Sequence, residues 1–128
     1  MMIGGRFDRD TYCFVGPGAE EQISRYFVDI AFMSTRAFMP AEGTYESSVD
    51  SFRIKQGVVA QSRKTVLLAD HTKFGRRALT KVLEAKQIDL VITDEGVSKE
   101  HLAALRQKNI QVVIAPLEDN TGLLEAAM

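Results

Sequence analysis

Apolar runs alternate along the chain with segments of helical periodicity. The longest runs are residues 65–69 and 88–93, and shorter ones cover residues 12–15, 28–33 and 110–114. Val, Ile and Leu follow one another in the central runs almost without polar interruption, which is typical of parallel strands covered on both faces. The pattern therefore predicts an α/β fold with a mostly parallel sheet and flanking helices.

Helix signals stand between these runs. Pro17 follows the first run and predicts a helix beginning there. Ser47 with Asp50 resembles a capping box, which predicts a second helix to about residue 61. Ser98 as N-cap and Asn109 at the left-handed C-terminal position bound a third helix.

Two segments are interpreted from weaker signals. Residues 34–43 contain Pro40 and are expected to form a loop along the sheet edge, with Phe38 and Met39 exposed and Thr44 capping the next helix. Residues 78–86 fit either a helix or a strand with a short turn, and periodicity alone favours the helix. Beyond residue 116 the chain is acidic and weakly helical at residues 123–127.

Composition narrows the class of protein. The 128 residues fit one domain. Because 16 basic residues are balanced by 17 acidic ones, the chain has no net positive charge to attract the phosphate backbone of a nucleic acid, and we expect no direct nucleic-acid contact by this chain. Cys13 is the single cysteine and no metal-ligand spacing accompanies it. No run approaches the roughly 18 apolar residues of a membrane span. We expect a soluble cytoplasmic protein without metal or cofactor.

The candidate functional residues lie where two apolar runs end. Asp70 closes the first and Asp94 the second, with Lys73 three residues beyond Asp70. Ligands of open α/β sheets bind at the carboxyl ends of parallel strands, so these residues mark the predicted ligand edge. Asp70 is equally a turn former and Lys73 equally a solvated lysine. His71 is a candidate general base, although no nucleophile accompanies it.

Short glycine clusters suggest turns. Gly4 and Gly5 form one pair, and Gly16-Pro17-Gly18 forms another cluster. Neither is a complete dinucleotide fingerprint or a P-loop, so nucleotide sites are unsupported. The clusters are either plain turns or a source of phosphate-binding backbone amides.

The order of motifs resembles a known family. Gly4-Gly5, the segments 14–20 and 29–32, the sequence Leu67-Leu68-Ala69-Asp70-His71-Thr72-Lys73-Phe74-Gly75 and the Ile-Thr-Asp ending at Asp94 are similar to the C-terminal sensor domain of DeoR-family transcriptional regulators, over about residues 3–115. The resemblance implies a Rossmann-like fold related to ribose-5-phosphate isomerase and an effector that is a phosphorylated sugar or sugar alcohol. It also implies that residues 78–83 are extended.

The resemblance assigns roles to particular residues. Asp70 and Lys73 match the family's effector-site pair, with Lys73 suited to a phosphate or another small anion. The other matching positions are Gly4, Gly5, Thr44, Lys55 and Asp94.

The chain departs from the sequence pattern of the family in two places. No helix-turn-helix is recognisable, and the opening strand and phosphate loop that the family carries before the glycine pair are not found. We therefore expect a single partial sensor domain over residues 1–128, with a core at about 3–115 and a tail at 116–128. An edge left open by a lost strand would be covered by a neighbouring subunit, which predicts a homo-oligomer. The alternatives are a sugar-phosphate isomerase-like enzyme and a structural remnant that binds nothing.

Overall fold

A computed structural model of the chain describes residues 1–116. In chain order the elements are β1 (Arg6–Asp8), β2 (Cys13–Val15), α1 (Pro17–Ile23), β3 (Val28–Ser34), β4 (Ala37–Met39), β5 (Gly43–Glu46), α2 (Val49–Ala60), β6 (Ser62–Leu68), β7 (Thr80–Glu84), β8 (Leu90–Asp94), α3 (Lys99–Gln107) and β9 (Gln111–Ala115). Short 3-10 turns occupy His71–Lys73 and Ala85–Gln87. The helix expected at residues 123–127 falls outside the described residues.

The strands form three sheets. The central one is parallel, in the order β3-β6-β8-β9. A second, antiparallel sheet has the order β4-β5-β7, and β1 pairs with β2 in a hairpin. The predicted α/β class with a parallel sheet is confirmed. None of the helices in the described part of the chain is long and apolar enough to cross a membrane.

The hydrophobic core lies against one face of the parallel sheet. Leu67 and Val91 point into it from β6 and β8 and are completely buried. Phe38 and Leu83 reach it from the antiparallel sheet, and Leu105 reaches it from α3. Burying each of these side chains contributes about 1.5–3 kcal/mol, so this single layer supplies most of the apolar stabilisation.

Within residues 1–116 the opposite face of the parallel sheet is largely uncovered, apart from Val66 at 3% exposure, which corrects the expectation of two covered faces. Strand register places one row of side chains on this face, since Ser34 pairs with Leu68, Leu68 with Ile92, and Ile92 with Val113. Leu68 and Val113 are 44% and 47% exposed. Side chains alternate along a strand, so Ile30 and Phe32 belong to the same face, and they are 47% and 63% exposed. An apolar run therefore predicts a strand but does not show whether one or both of its faces are covered.

The expected loop over residues 34–43 is wrong. Its centre is β4, and Phe38 is fully buried where it was expected to be exposed. Phe38 packs edge-on against Phe74 with the ring centroids 5.2 Å apart. Pro40 lies just after β4, where the chain turns into β5. A three-residue strand leaves little periodicity in the sequence and gains its stability from distant partners, so the local pattern does not reveal β4.

Thr44 does not cap α2 and instead belongs to β5. Its buried hydroxyl accepts a hydrogen bond from the Leu83 N–H at 3.2 Å, where a register shift interrupts the β5–β7 ladder. The cap of α2 is Ser48, whose hydroxyl accepts from the Ser51 N–H. The capping box predicted at Ser47 is therefore wrong, and the N-cap lies one residue further along the chain.

Residues 80–84 form strand β7, as the family resemblance implied and periodicity did not. Pairing with β5 fixes the strand, and the adjacent Val82 and Leu83 are both buried. Gln56 of α2 donates a hydrogen bond to the Val82 carbonyl at 3.0 Å. Tertiary pairing therefore overrides the local helical spacing. The predicted roles of Ser98 and Asn109 are confirmed, since Ser98 caps α3 and Asn109 has a positive φ of 57°.

An exposed ion pair joins the outer strand β3 to β6. Asp29 is strongly exposed and forms an ion pair with Arg63 at 3.2 Å. In the described residues β6 is the strand that pairs with β3. Among residues 1–116, β9 is the strand at the other edge of the same sheet.

Gly43 is the tightest backbone position of the antiparallel sheet. Its φ is +137°, and a Cβ atom there would lie 1.8 Å from the Leu83 carbonyl oxygen. We predict that Gly43→Ala lowers the free energy of unfolding by more than about 3 kcal/mol, because backbone must move to admit the methyl group. Urea unfolding measures the change.

The matched control is Gly18→Ala in α1, where an added Cβ meets nothing within 4 Å. Alanine is the better helix former, so this variant should gain about 0.5–1 kcal/mol. Equal stability of the Gly43 variant and the parent would contradict the prediction.

Candidate functional site

The two aspartates expected at one edge of the sheet do lie together. Strands β6 and β8 are neighbours in parallel register, and the Ala69 N–H extends their ladder by donating to the Ile92 carbonyl at 3.1 Å. Carboxylate oxygens of Asp70 and Asp94 and a ring nitrogen of His71 lie within 4.8 Å of one another. The structure places both aspartates at one edge, and the binding of a ligand there stays a prediction.

The turn after β6 is held rigidly. Asp70 caps the 3-10 turn by accepting a hydrogen bond from the Thr72 N–H at 2.9 Å, and it also receives the Thr72 hydroxyl. Phe74 is buried against Phe38, which anchors the end of the turn in the core. Gly75 adopts a φ of +71° and donates to the Phe38 carbonyl at 2.9 Å. Asp70, Thr72, Phe74 and Gly75 thus each help to hold the turn in place.

Lys73 stands on this turn beside the Asp70 carboxylate. Its Nζ lies 4.0 Å from Asp70 Oδ2, and the two side chains are 35% and 49% exposed. Hydrogen bonds from Thr72, aided by the Lys73 charge, hold the pKa of the Asp70 carboxyl below its usual range. An ionised acceptor and a cation are therefore presented side by side to solvent.

Asp94 anchors the neighbouring loop and is itself nearly buried. Its Oδ2 accepts from the His71 N–H at 2.9 Å, while Oδ1 accepts from the Gly96 N–H at 2.8 Å and contacts His71 Nδ1 at 2.7 Å. These bonds, led by the one from the His71 backbone, lower the pKa of the Asp94 carboxyl. Asp94 joins the end of β8 to the turn that follows β6.

His71 is engaged in that anchor, which leaves its candidate role as a general base without geometric support. One ring nitrogen is occupied by Asp94. Gly96 lies so close that an added Cβ would fall 2.5 Å from His71 Nδ1. Sequence reasoning missed this packing of Gly96 on the ring, and the Asp-x-Gly spacing alone does not reveal it. The remaining histidine, His101, is half-buried, and its ring packs 5.4 Å from that of Phe74.

A shallow depression opens beside the two aspartates onto the uncovered face of the sheet. Apolar side chains from three adjacent strands form its floor, namely Leu68, Ile92 and Ala115. Asp70 and Asp94 stand along its rim. The arrangement offers an apolar floor for carbon atoms and polar groups at one side for hydroxyls.

Lys55 lies at the carboxyl end of β3, one strand away. It reaches from α2 to donate to the Ser34 carbonyl at 2.7 Å and pairs with Glu46. Ser34 is in register with Leu68, which brings Lys55 to the same edge of the sheet as Asp70. Its ammonium group is partly neutralised by the Glu46 carboxylate, and its two contacts link α2 to β3 and β5.

Three other predicted positions make contacts elsewhere. Gly4 exchanges hydrogen bonds with the Gln22 side chain, its N–H donating to Oε1 at 3.2 Å. Gly5 has a φ of +153°, and a Cβ there would lie 2.8 Å from the Cβ of Ala19. Thr44 is committed to the β5–β7 ladder. The structure thus brings Asp70, Lys73 and Asp94 together, with Lys55 nearby.

The cluster of Asp70, His71 and Asp94 has the donor types of a metal site, but its atoms are used within the protein. Both oxygens of Asp94 already accept N–H groups, and Asp70 Oδ1 accepts from Thr72. The chemistry of this donor set is that of a hydrogen-bonded anchor for two loops.

Removal of the Asp94 charge tests this anchor. We predict that Asp94→Asn lowers the free energy of unfolding at pH 7 by about 1–3 kcal/mol, because an amide cannot accept every N–H that the carboxylate accepts. The folded-state pKa is depressed, so the stabilisation is complete above the unfolded value of about 3.8 and is lost as pH falls through the folded value. Urea unfolding between pH 7 and pH 3 should show the two proteins converging below about pH 4.

Asp10→Asn is the control, since Asp10 is exposed and its carboxylate accepts no hydrogen bond from the described residues. A pH-independent gap between the Asp94 variant and the parent would contradict the ionic anchor.

Several transcriptional regulators are similar in sequence to this chain. The chain is 32% identical over 112 residues to the HTH-type transcriptional regulator GlpR of Haloferax volcanii, covering 88% of this chain and 44% of that protein. It is 29% identical over 117 residues to the regulator YulB of Bacillus subtilis, covering 91% and 45%. It is 25% identical over 115 residues to IolR of the same organism, covering 90% and 46%. The chain thus spans a little under half the length of these relatives.

The family assignment follows from a family model. The model of the DeoR C-terminal sensor domain matches residues 1–95, a region that contains both strand-closing aspartates and the lysine between them. The chain belongs to the family of DeoR C-terminal sensor domains.

Proposed function

We propose that this chain binds a phosphorylated sugar or sugar alcohol, or a related small anion, as the effector-sensing domain of a DeoR-type regulator. The observation that carries the proposal is the Asp70–Lys73 pair, which is presented on a rigid turn at the carboxyl edge of the parallel sheet. That edge is where open α/β sheets bind their ligands.

The two side chains fit the two chemical halves of such a ligand. An ionised Asp70 accepts hydrogen bonds from hydroxyl groups, and the depressed pKa of its carboxyl keeps it ionised at neutral pH. Lys73 supplies a compact positive charge for a phosphate. The buried Phe74 and the left-handed Gly75 fix the turn before any ligand arrives, which reduces the entropy lost on binding.

The relatives favour sensing over catalysis. Their printed names describe transcriptional regulators. The one histidine at the edge, His71, is tied to Asp94 rather than free to move a proton. We therefore take the chain to be a sensor and not an enzyme, and the isomerase-like alternative gains no support from the geometry.

The proposal assigns different roles to the remaining predicted residues. Asp94 positions the turn, and Lys55 lies close enough to the edge to add a second positive charge if a ligand displaces Glu46. For Gly4, Gly5 and Thr44 a role in binding rests on the family resemblance alone. A cytoplasmic setting and self-association remain parts of the same proposal.

Substitution of Lys73 tests the site. We predict that Lys73→Gln weakens binding of the phosphorylated probe about tenfold or more, because a charge-assisted contact to a phosphate is worth about 1.5–3 kcal/mol. Calorimetric titration and thermal shift would use ribose 5-phosphate, ribose and inorganic phosphate as probes, within a wider panel of sugar phosphates. A probe at one hundred times its dissociation constant stabilises the fold by about 2.7 kcal/mol.

Lys81→Gln is the matched control. Lys81 is 37% exposed and pairs with Glu84 three residues away, as Lys73 is 35% exposed and pairs with Asp70. Asp70→Asn should weaken binding of the sugar moiety while leaving affinity for inorganic phosphate largely intact. Equal affinities of the Lys73 variant and the parent for a bound sugar phosphate would refute the site, and no binding across the panel would refute the proposed ligand class.

A further inference from the structure

We propose that a pocket lined by arginines, at one end of the antiparallel sheet, binds a phosphate group. A free phosphate ion and the phosphate of a phosphorylated sugar present the same tetrahedral dianion, and this shared chemistry is what the pocket fits. The residues that carry the inference are Arg36 and Arg76. The site is separate from the Asp70–Lys73 pair and does not depend on the proposed function.

The pocket lies where β4 begins, β5 ends and β7 begins. These strands are antiparallel neighbours, so the three ends lie side by side. The volume is about 320 Å³, within the roughly 300–1,000 Å³ of small-molecule sites. Among residues 1–116 the lining includes no carboxylate and consists of Arg36, Ala37, Ser47, Arg76, Arg77 and Ala78. A group that enters the pocket therefore meets positive charge and no acidic side chain.

Two of the three arginines in this lining carry an unbalanced charge. The Arg77 guanidinium is bound by both carboxylate oxygens of Glu42, with Nε 2.9 Å from Oε2. Within the described part of the chain, no carboxylate oxygen lies within 4.0 Å of the side-chain nitrogens of Arg36 or Arg76. Like charges that share a pocket repel each other, and a bound dianion offsets this cost.

Arg36 projects from a rigid stretch of backbone. Its neighbours Thr35 and Ala37 are both buried. The Thr35 hydroxyl is shared between the carbonyls of Ala37 and Tyr45, at 2.9 and 3.1 Å. The Arg36 N–H donates to a carboxylate oxygen of Glu46 at 3.2 Å. These contacts fix the backbone that carries the Arg36 side chain.

Arg76 stands between two anchored residues. On one side Gly75 donates its N–H to the Phe38 carbonyl at 2.9 Å. On the other side Arg77 is held by its paired hydrogen bonds to Glu42. The bond from Arg77 leads in lowering the pKa of the Glu42 carboxyl to about 2, so this anchor persists at neutral pH. Both unbalanced arginines therefore extend from backbone that is already in place, which reduces the entropy lost on binding.

The donor set fits a phosphate better than a single carboxylate. A guanidinium presents parallel N–H groups that match two oxygens of either anion. A phosphate monoester carries about −1.5 to −2 charges at neutral pH, which balances two guanidinium groups, whereas a carboxylate balances one. Ser47, in the same lining, adds a hydroxyl donor. The ligand class is therefore a tetrahedral dianion.

The pocket can be tested apart from the effector edge. In the described part of the chain it shares no lining residue with the depression beside the two aspartates. Lys73 lies beside Asp70, with Nζ 4.0 Å from Oδ2. Lys73→Gln therefore removes the cation of the effector edge and leaves Arg36 and Arg76 in place.

Calorimetric titration of the full chain carrying Lys73→Gln, at neutral pH and low salt, measures the pocket. The probes are inorganic phosphate, sulfate and acetate. We expect phosphate and sulfate to bind more tightly than acetate. Adding Arg36→Gln or Arg76→Gln should weaken phosphate binding about tenfold or more, because each removes a charge-assisted contact. No phosphate binding by the Lys73→Gln protein would overturn the proposal.

Arg9→Gln is the matched control. Arg9 is an exposed arginine of the β1–β2 hairpin, and its side chain has no acidic partner within 4.0 Å among residues 1–116. This variant should bind phosphate as its parent does. Arg36→Lys keeps the charge but loses the forked donors, so its affinity should fall between those of the parent and Arg36→Gln. Equal losses in the Arg9 and Arg36 variants, with folding checked by circular dichroism, would contradict a specific site.

Ribose 5-phosphate distinguishes the two sources of the phosphate. If it competes with inorganic phosphate in the Lys73→Gln protein, the pocket accepts phosphate esters, and if it does not compete, the free ion is the ligand. In the parent chain, losses of binding caused by Lys73→Gln alone, with the arginine variants unchanged, support the proposed function and overturn the pocket. Losses caused by the arginine variants alone support the pocket and refute the effector site.

Discussion

The carboxylate of Asp94 is the constraint on which the candidate site depends. Parallel strands β6 and β8 have no hairpin to join their carboxyl ends, and Asp94 provides the link by accepting N–H groups from the turn after β6 and from its own loop. Because the link is ionic and nearly buried, it holds the turn in one position. The backbone of Lys73, which belongs to this turn, is therefore fixed. The sequence places both aspartates at strand ends. Only the folded structure shows that Asp94 holds the turn in place while Asp70 is exposed to solvent.

The parts of the fold that are local or strongly patterned could be predicted from the sequence. The apolar runs around Leu67 and Val91 located the central strands, and Ser98 and Asn109 bounded α3. The elements that depend on distant partners could not be predicted in this way. Strand β4 has three residues and is held by β5 and Phe74, while β7 has helical spacing and becomes extended through pairing with β5.

The same division holds for the site. Asp70 and Lys73 were identifiable because a carboxylate and a lysine follow a buried strand at close spacing. Thr44 was misplaced because hydroxyl groups cap helices and also satisfy interrupted sheet ladders, and composition does not separate these uses. The uncovered face was hidden for a related reason, since a run such as Val66-Leu67-Leu68 has the same composition whether one or both of its faces are packed.

Asp29 and Arg63 form a cross-strand ion pair on the β3 side of the described sheet. Their side chains lie 3.2 Å apart on the neighbouring strands β3 and β6, and both are strongly exposed. Opposite charges across a ladder favour one alignment of the two strands, because a slip by one residue would separate them. The pair therefore favours the alignment that keeps Ser34, and with it the Lys55 contact, level with Leu68.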